Sequence, residues 1–259
     1  MNIAVLLSSI ILQMKQSFVR PMFRFCLFAN PVLNTILLSE MYYNTKSDNY
    51  LAYVVLGAGL MGLWSCICFS SAGDINRERY NGTLPLIYVA PASFPVIILG
   101  KIIGNTLLAL FALVISLVTA AVFFHVPLEL GSPFYFLIAL LGTIMCFVVI
   151  SFAIAPLLTL SRKTELYMNC IEIPIILLCG FVFPVTILPK EIQILSYALS
   201  PTYAIELLRM SVWSVDDSTL FWWKFGLLIA FTIIYTFFSI SLYRRIDRDI
   251  RISAALEVA

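Results

Sequence analysis

Residues able to do chemistry are sparse in this chain of 259 residues. His125 is the only histidine, which excludes HExxH and every other site built on two imidazoles. Cys26, Cys66, Cys68, Cys146, Cys170 and Cys179 all fall inside apolar runs and form no CxxC pair, so they imply neither a disulfide framework nor a zinc site. They read as small apolar fillers. An intramembrane hydrolase or transferase needs His, Asp or paired carboxylates clustered near the interface. His125, beside Pro127, offers no such cluster. A GxxxxGK[ST] phosphate loop is also missing, because Gly100-Lys101-Ile102 lacks both the upstream glycine and the hydroxyl. The chain therefore carries no ATPase site of its own and calls for no cofactor. What remains is polar side chains inside apolar runs: Asn30 and Asn34 one helical turn apart beside Pro31, and Asn169 and Glu172 on a common face. Such residues are costly in lipid and face a bundle interior or a cavity. Here they fit either a cavity lining or bonds between neighbouring helices, with Glu172 paired to Arg24 or Lys101.

The elements that hold them are membrane helices. Hydrophobic residues make up 61% of the chain, charged residues 12%, and the mean hydropathy is +1.00, far from the soluble mixture of roughly a quarter charged. A crossing helix takes about 20 apolar residues. The pattern predicts an all-α membrane protein with six spans near residues 22–42, 51–73, 94–124, 134–160, 168–187 and 219–243. The whole chain is then a single transmembrane domain with no room for a globular one. Ahead of the first span, Asn2, Ser9, Gln13, Gln16 and Arg20 form one polar stripe on an otherwise apolar helix. That predicts an interfacial amphipathic helix over residues 1–21 lying in the membrane surface. Twelve of the 16 Lys and Arg residues fall on the side of the termini, which places both ends in the cytoplasm. On that side, the glycosylation-like Asn81-Gly82-Thr83 is a chance match.

Two connectors are unusual. Residues 184–210 are divided by Pro184, Pro189 and Pro201 into apolar pieces too short to cross, which predicts short re-entrant helices dipping into the outer leaflet. Residues 74–93 begin with Asp74, Arg77, Glu78 and Arg79, a balanced set suited to pairing with protein rather than to gripping anionic lipid. Gly82 can then adopt the left-handed conformation that ends a helix, and Thr83 can cap the turn that Pro85 starts. Leu86 to Ala90 make a short apolar helix stopped by Pro91, with an apolar face on the cytosolic side that fits a partner groove or the membrane surface. Small residues at Ala58, Gly62, Cys66 and Ser70, at Gly100 and Gly104, and at Gly226 and Ala230 allow close helix approach. They suit a subunit contact or packing within one chain.

The run Arg77-Glu78-Arg79-Tyr80-Asn81-Gly82-Thr83-Leu84, followed by Ala90-Pro91-Ala92-Ser93 and Gly100-Lys101, resembles the motif between the second and third spans of ABC-2 type permeases, the membrane subunits of ATP-binding-cassette exporters. Phe183-Pro184, Leu188-Pro189, Ser200-Pro201-Thr202-Tyr203-Ala204 and Arg209 are similar to the family's run before its last span. Pro85 stands where the family often has an acidic residue. The resemblance covers nearly the whole chain, and it implies that Glu78 to Ala90 form a coupling helix region. Arg77, Glu78, Arg79, Gly82, Thr83, Leu84, Leu86 and Ile87 would then dock on a cytosolic ATPase that holds ATP and magnesium. It implies a second copy or a related permease as partner, contact with membrane lipid, and no nucleic acid. It places the first, second and fifth spans around a central cavity, so that Asn30, Asn34 and Glu172 line it. Amphipathic drugs, lipids or peptides are the substrate classes that follow, and separation from the ATPase resembles bacterial systems. An ion channel or secondary carrier independent of ATP is the alternative.

Overall fold

The computed structural model describes residues 2–43, 51–83, 86–87, 94–124, 131–159, 164–212 and 217–253. Helix α1 (Asn2–Val19) stops at Arg20, whose extended backbone (φ −76°, ψ 126°) is what a residue preceding proline adopts. From Pro21 the chain runs through α2 (Pro21–Arg24), a π-turn at Phe25–Ala29 and α3 (Asn30–Tyr43). The widened turn lies just ahead of Pro31, which has no N–H for the Leu27 carbonyl and whose ring crowds it. A second π-turn, Leu51–Val55, leads into α4 (Leu56–Tyr80).

After these come α5 (Phe94–Ala109), α6 (Phe111–Phe124), α7 (Pro133–Thr159) and α8 (Thr164–Leu178). Gly180, at φ +76°, ends α8 and lets the Phe181 N–H reach back to the Ile176 carbonyl. Between the proline-divided pieces stand a 3₁₀ turn (Val185–Ile187), α9 (Lys190–Tyr197) and α10 (Ser200–Val212). The chain closes with the 36-residue α11 (Ser218–Ser253), whose first turn is capped by Asp217 Oδ1 accepting from the N–H groups of Thr219 and Leu220.

Among the described residues there is no strand, and four segments are long and apolar enough to cross a bilayer: Pro21–Tyr42, Phe94–Phe124, Pro133–Ala155 and Ser218–Arg245. Tyr53–Cys68 and Leu166–Leu178, where the second and fifth spans are expected, are shorter apolar helices of 10 to 17 residues. The first is bounded by side chains outside the described residues, and the helix itself continues to Tyr80. The second is cut off by the Gly180 turn.

Helix α4 is the centre of the bundle and packs against α3, α5, α6, α7 and α8, while α7 carries α10 and α11 on its far side. Its apolar length is almost wholly buried, and Trp64 and Phe147 meet edge to face at 5.4 Å, with Phe181 stacked beyond at 6.1 Å. Gly62 allows this density, since a Cβ there would sit 2.7 Å from Pro31 and 3.2 Å from Ala112. Ala58 and Cys66, on the same strip, are also buried within the chain. The Ser70 side chain lies outside the described residues. Gly226 and Ala230 of α11 face outward.

Helix α1 corrects the expectation of a polar stripe facing water. Gln13 and Ser17 are fully buried, whereas Ile3, Leu7, Ile11, Leu12, Phe18 and Val19 point outward. The physical reason is that the stripe finds hydrogen-bonding partners inside the bundle, which a buried polar group requires. Gly100 and Gly104 admit the helix, because a Cβ on them would lie 2.7 Å from Ser9 Cβ and 2.8 Å from the Ile10 carbonyl oxygen respectively. Gly104→Val is accordingly expected to push α1 off α5 and lower stability by about 1–3 kcal/mol, read as a fall in the melting temperature of the purified protein with α5 helicity retained.

Candidate functional site

The inward stripe of α1 ends on a carboxylate. Asp74, in the last two turns of α4 and only 3% exposed, takes Gln13 Nε2 at 2.6 Å and Asn105 Nδ2 at 3.0 Å on Oδ2, and the Arg20 guanidinium on Oδ1. Gln13 Nε2 also donates to Ser17 Oγ at 2.8 Å, and Ser17 Oγ donates to Asn105 Oδ1. One buried acid thus joins α1, α4 and α5, and two polar atoms around it, Gln13 Oε1 and Arg20 Nε, have no hydrogen-bond partner among the described residues.

Along the same edge, Arg77 donates to Gln16 Oε1 of α1, and Glu78 accepts from Lys101 of α5 and from the Thr83 hydroxyl. Burial works against both charges. For Arg77 it lowers the guanidinium's proton affinity, as does the nearby Arg20 charge, with Asp74 and Glu78 opposing. For Glu78 burial is the largest single influence and pushes the carboxyl up, but the hydrogen bonds from Lys101 and Thr83 and the charges of Lys101 and Arg77 together outweigh it and hold the group below its ordinary value. The anchor it provides is therefore complete at neutral pH and fades as the pH falls through that lowered value.

The helix then ends as its sequence asks. Gly82 takes φ +66° with no atom of a described residue within 4 Å of the point where a Cβ would stand, and the Thr83 N–H reaches back to the Glu78 carbonyl at 2.9 Å. Thr83 does not match the expected forward cap: its hydroxyl turns back to Glu78, while its carbonyl accepts the Ile87 N–H at 3.1 Å. Tyr80 is 92% exposed and Leu86 68%, whereas Ile87 packs on the core. The Arg79 side chain, Leu84, Pro85 and residues 88–93 lie outside the described residues. The balanced charges expected to meet another protein are thus engaged within the chain at Arg77 and Glu78, and among the described residues Tyr80 and Leu86 are the large side chains that project.

In the apolar half, Asn34 Nδ2 donates to Asn30 Oδ1 at 3.0 Å, both side chains half-buried on α3. Glu172 of α8 is 7% exposed and accepts from Ser65 of α4. The Glu172–Lys101 pairing is ruled out because Lys101 is held by Glu78, and Arg24 forms no ion pair with Glu172 among the described residues. Helix α4 lies against both α3 and α8. Among the described residues no group of three or more His, Cys, Asp or Glu gathers as metal ligands.

At the opposite end, a buried cation ties three elements. Arg209 of α10 donates to the Phe181 carbonyl at 2.8 Å and lies 4.2 Å over the Tyr53 ring. Tyr42 stacks on Tyr53 at 5.9 Å and donates its hydroxyl to the Val182 carbonyl at 2.9 Å. Reading by sequence missed Tyr42 and Tyr53, as well as Ser17 and Asn105 and the inward role of Gln13. The available signal was the fit between a Gln- and Ser-bearing stripe on α1 and a lone Asn inside the third apolar run.

Comparison with known proteins bears on the bundle from α1 to α10. No curated protein matches the chain. The family model described as ABC-2 type transporter matches residues 4–213, from the stripe of α1 through the Asp74 junction and Glu172 to the end of α10. The chain belongs to the ABC-2 type transporter family and is a transmembrane permease.

Proposed function

We propose that this chain is the permease subunit of an ATP-driven exporter, coupled to a separate cytosolic ATPase subunit that binds ATP and magnesium. The observation that carries the reading is α4. It runs without interruption from the buried centre of the bundle to Tyr80, is fastened near its tip by Asp74 and Glu78, and leaves Tyr80 and Leu86 outward. A push on the tip is thereby delivered to the packed core instead of being absorbed by a loose loop.

In this reading the chain crosses six times, with Tyr53–Cys68 and Leu166–Leu178 as the second and fifth crossings. Helices α9 and α10 are re-entrant in the outer leaflet, and both termini are cytoplasmic in a bacterial cell membrane. Two copies, or one copy and a related permease, enclose a path bordered by Asn30, Asn34 and Glu172, and its cargo is an amphipathic drug, lipid or peptide. Nucleotide closure of the ATPase pair draws the two α4 tips together and alternates access to the path.

Co-purification with a Walker-type ATPase, sought in the reading frames that neighbour this one, tests the coupling. Leu86→Asp, which changes only the projecting face, and Glu78→Lys, which sets two cations against each other at Lys101, are expected to reduce recovered ATPase more than ten-fold while the permease stays monodisperse. Cargo transport by the permease alone in proteoliposomes overturns the proposal in favour of a channel or secondary carrier.

A further inference from the structure

Helix α11 is longer than a bilayer core. Its 36 residues make a rod of about 54 Å against a hydrocarbon thickness of about 30 Å. Trp222 and Trp223, exposed near its start, mark one boundary of that core. Roughly 20 positions on, and so about 30 Å further, the apolar surface gives way to Arg244 and Arg245, both exposed and in no ion pair among the described residues. The helix continues to Ser253. Its far end lies on the Tyr80 side of the bundle. Helix α5 runs antiparallel to α4, with Lys101 at Glu78 and Asn105 at Asp74, and the ring of Phe94 at its start stands 6.1 Å from that of Tyr243.

The register of α11 decides which way the extension faces. Phe221, Leu228, Ser239 and Tyr243 form its buried line. On the opposite side the outward line of Ile233, Phe237 and Ile240 continues by steps of three and four into positions 244, 248 and 251, all arginine. The neighbours of Arg248 at helical spacing, three and four positions away on either side, are Arg244, Arg245, Arg251 and Ile252. Like charges at that spacing work against a helix. Asp247 and Asp249 stand four positions from Arg251 and Arg245 respectively, and the helix dipole favours a cation in the last turn, where Arg251 stands. Neither compensates Arg248.

We propose that Arg244, Arg248 and Arg251 form a binding strip for the headgroups of anionic phospholipids in the leaflet at the Tyr80 end of the bundle. The strip begins where the outward apolar line ends and lies opposite the buried line, so the groups beside it are the phosphates of surrounding lipid. A guanidinium meets a phosphodiester through two parallel N–H donors. A cluster of arginines just past a span is drawn to anionic lipid, whereas a zwitterionic headgroup offers it no net charge. The strip lies beyond the family match, which ends at residue 213, and the proposal needs neither the ATPase nor the export reading.

Electron spin resonance on the purified chain in phosphatidylcholine vesicles tests this, by comparing spin-labelled phosphatidylglycerol with spin-labelled phosphatidylcholine at the protein boundary. The wild-type chain is expected to favour the phosphatidylglycerol label by about three-fold or more. Sodium chloride at about 1 M, which screens charge beyond roughly 3 Å, should remove that preference. The triple variant Arg244→Gln, Arg248→Gln, Arg251→Gln should bring the ratio to about one, with the phosphatidylcholine label, which reports an intact apolar perimeter, bound as before. Lys15→Gln and Arg24→Gln, at exposed cations elsewhere, should keep most of the preference. No preference in the wild type, a preference kept by the triple variant, an equal loss in Lys15→Gln and Arg24→Gln, or an equal fall of both labels would each overturn the assignment. A triple variant that loses co-purifying ATPase, when the wild type shows no lipid preference, would assign the strip to a protein surface instead.

Discussion

Asp74→Leu is expected to cost the folded protein about 3–5 kcal/mol, the range for removing one member of a buried ion pair. Asp74 accepts from Gln13, Asn105 and Arg20 at once. Removing it leaves three donors facing an apolar side chain, one of them charged, and each bears a desolvation penalty with nothing to offset it. Arg20 is still 19% exposed at its side chain, so part of its charge is screened and the lower end of the range applies to its share. The loss should be read by thermal unfolding of the purified protein. It should be accompanied by increased hydrogen exchange confined to α1 and the Tyr80 end of α4. Replacing Gln13, Asn105 and Arg20 by apolar residues in the Asp74→Leu background should recover much of the stability, because a donor removed with its acceptor leaves nothing unsatisfied. A melting temperature for Asp74→Leu unchanged from wild type would show that the junction does not hold α1.

Arg209→Met ranks second, with an expected loss of about 2 kcal/mol. A hydrogen bond from a charged donor contributes about 1.5–3 kcal/mol and a desolvated cation–π contact up to about 2 kcal/mol, while burying the guanidinium opposes both. The partners make the prediction specific. Tyr53→Phe keeps the ring face and should be nearly silent, whereas Tyr53→Leu should lose part of what Arg209→Met loses. Combined with Arg209→Met, it should add little further loss. Arg209→Lys is expected to fall between, since an ammonium can donate to the Phe181 carbonyl but does not stack on Tyr53 as a planar group does. Additive losses in the Tyr53→Leu, Arg209→Met double variant would show that the two groups do not interact.

Local chemistry made much of this legible from the sequence. Gly82 stands where a helix stops and takes positive φ as expected, whereas Gly180, also at positive φ, ends α8 inside the expected fifth span 168–187. The apolar runs are helices, and the proline-divided segment resolves into two short ones. What stayed hidden depends on which face meets which neighbour. The stripe of α1 has the same periodicity whether it faces water or an internal carboxylate, and only the positions of Asp74 and Asn105 in space decide between them. The Arg209 and Tyr53 contact joins residues far apart in the chain through a ring face, for which no spacing rule exists. Where Glu78 spends its charge was open for the same reason, because Lys101 lies 23 positions away on another helix.

The inverted polarity of α1 also sets an order of assembly. Gln13 is synthesised 61 positions before Asp74 and 92 before Asn105. At a translation rate of roughly 5–20 residues per second, the first helix waits about 5–20 s for its last hydrogen-bonding partner. During that interval its polar side cannot turn toward lipid and its apolar side cannot turn toward water, so the nascent helix must rest at the boundary between the two. It docks only after the segment carrying Asn105 has emerged, which makes α1 settle later than its place ahead of α4 and α5 in the chain suggests.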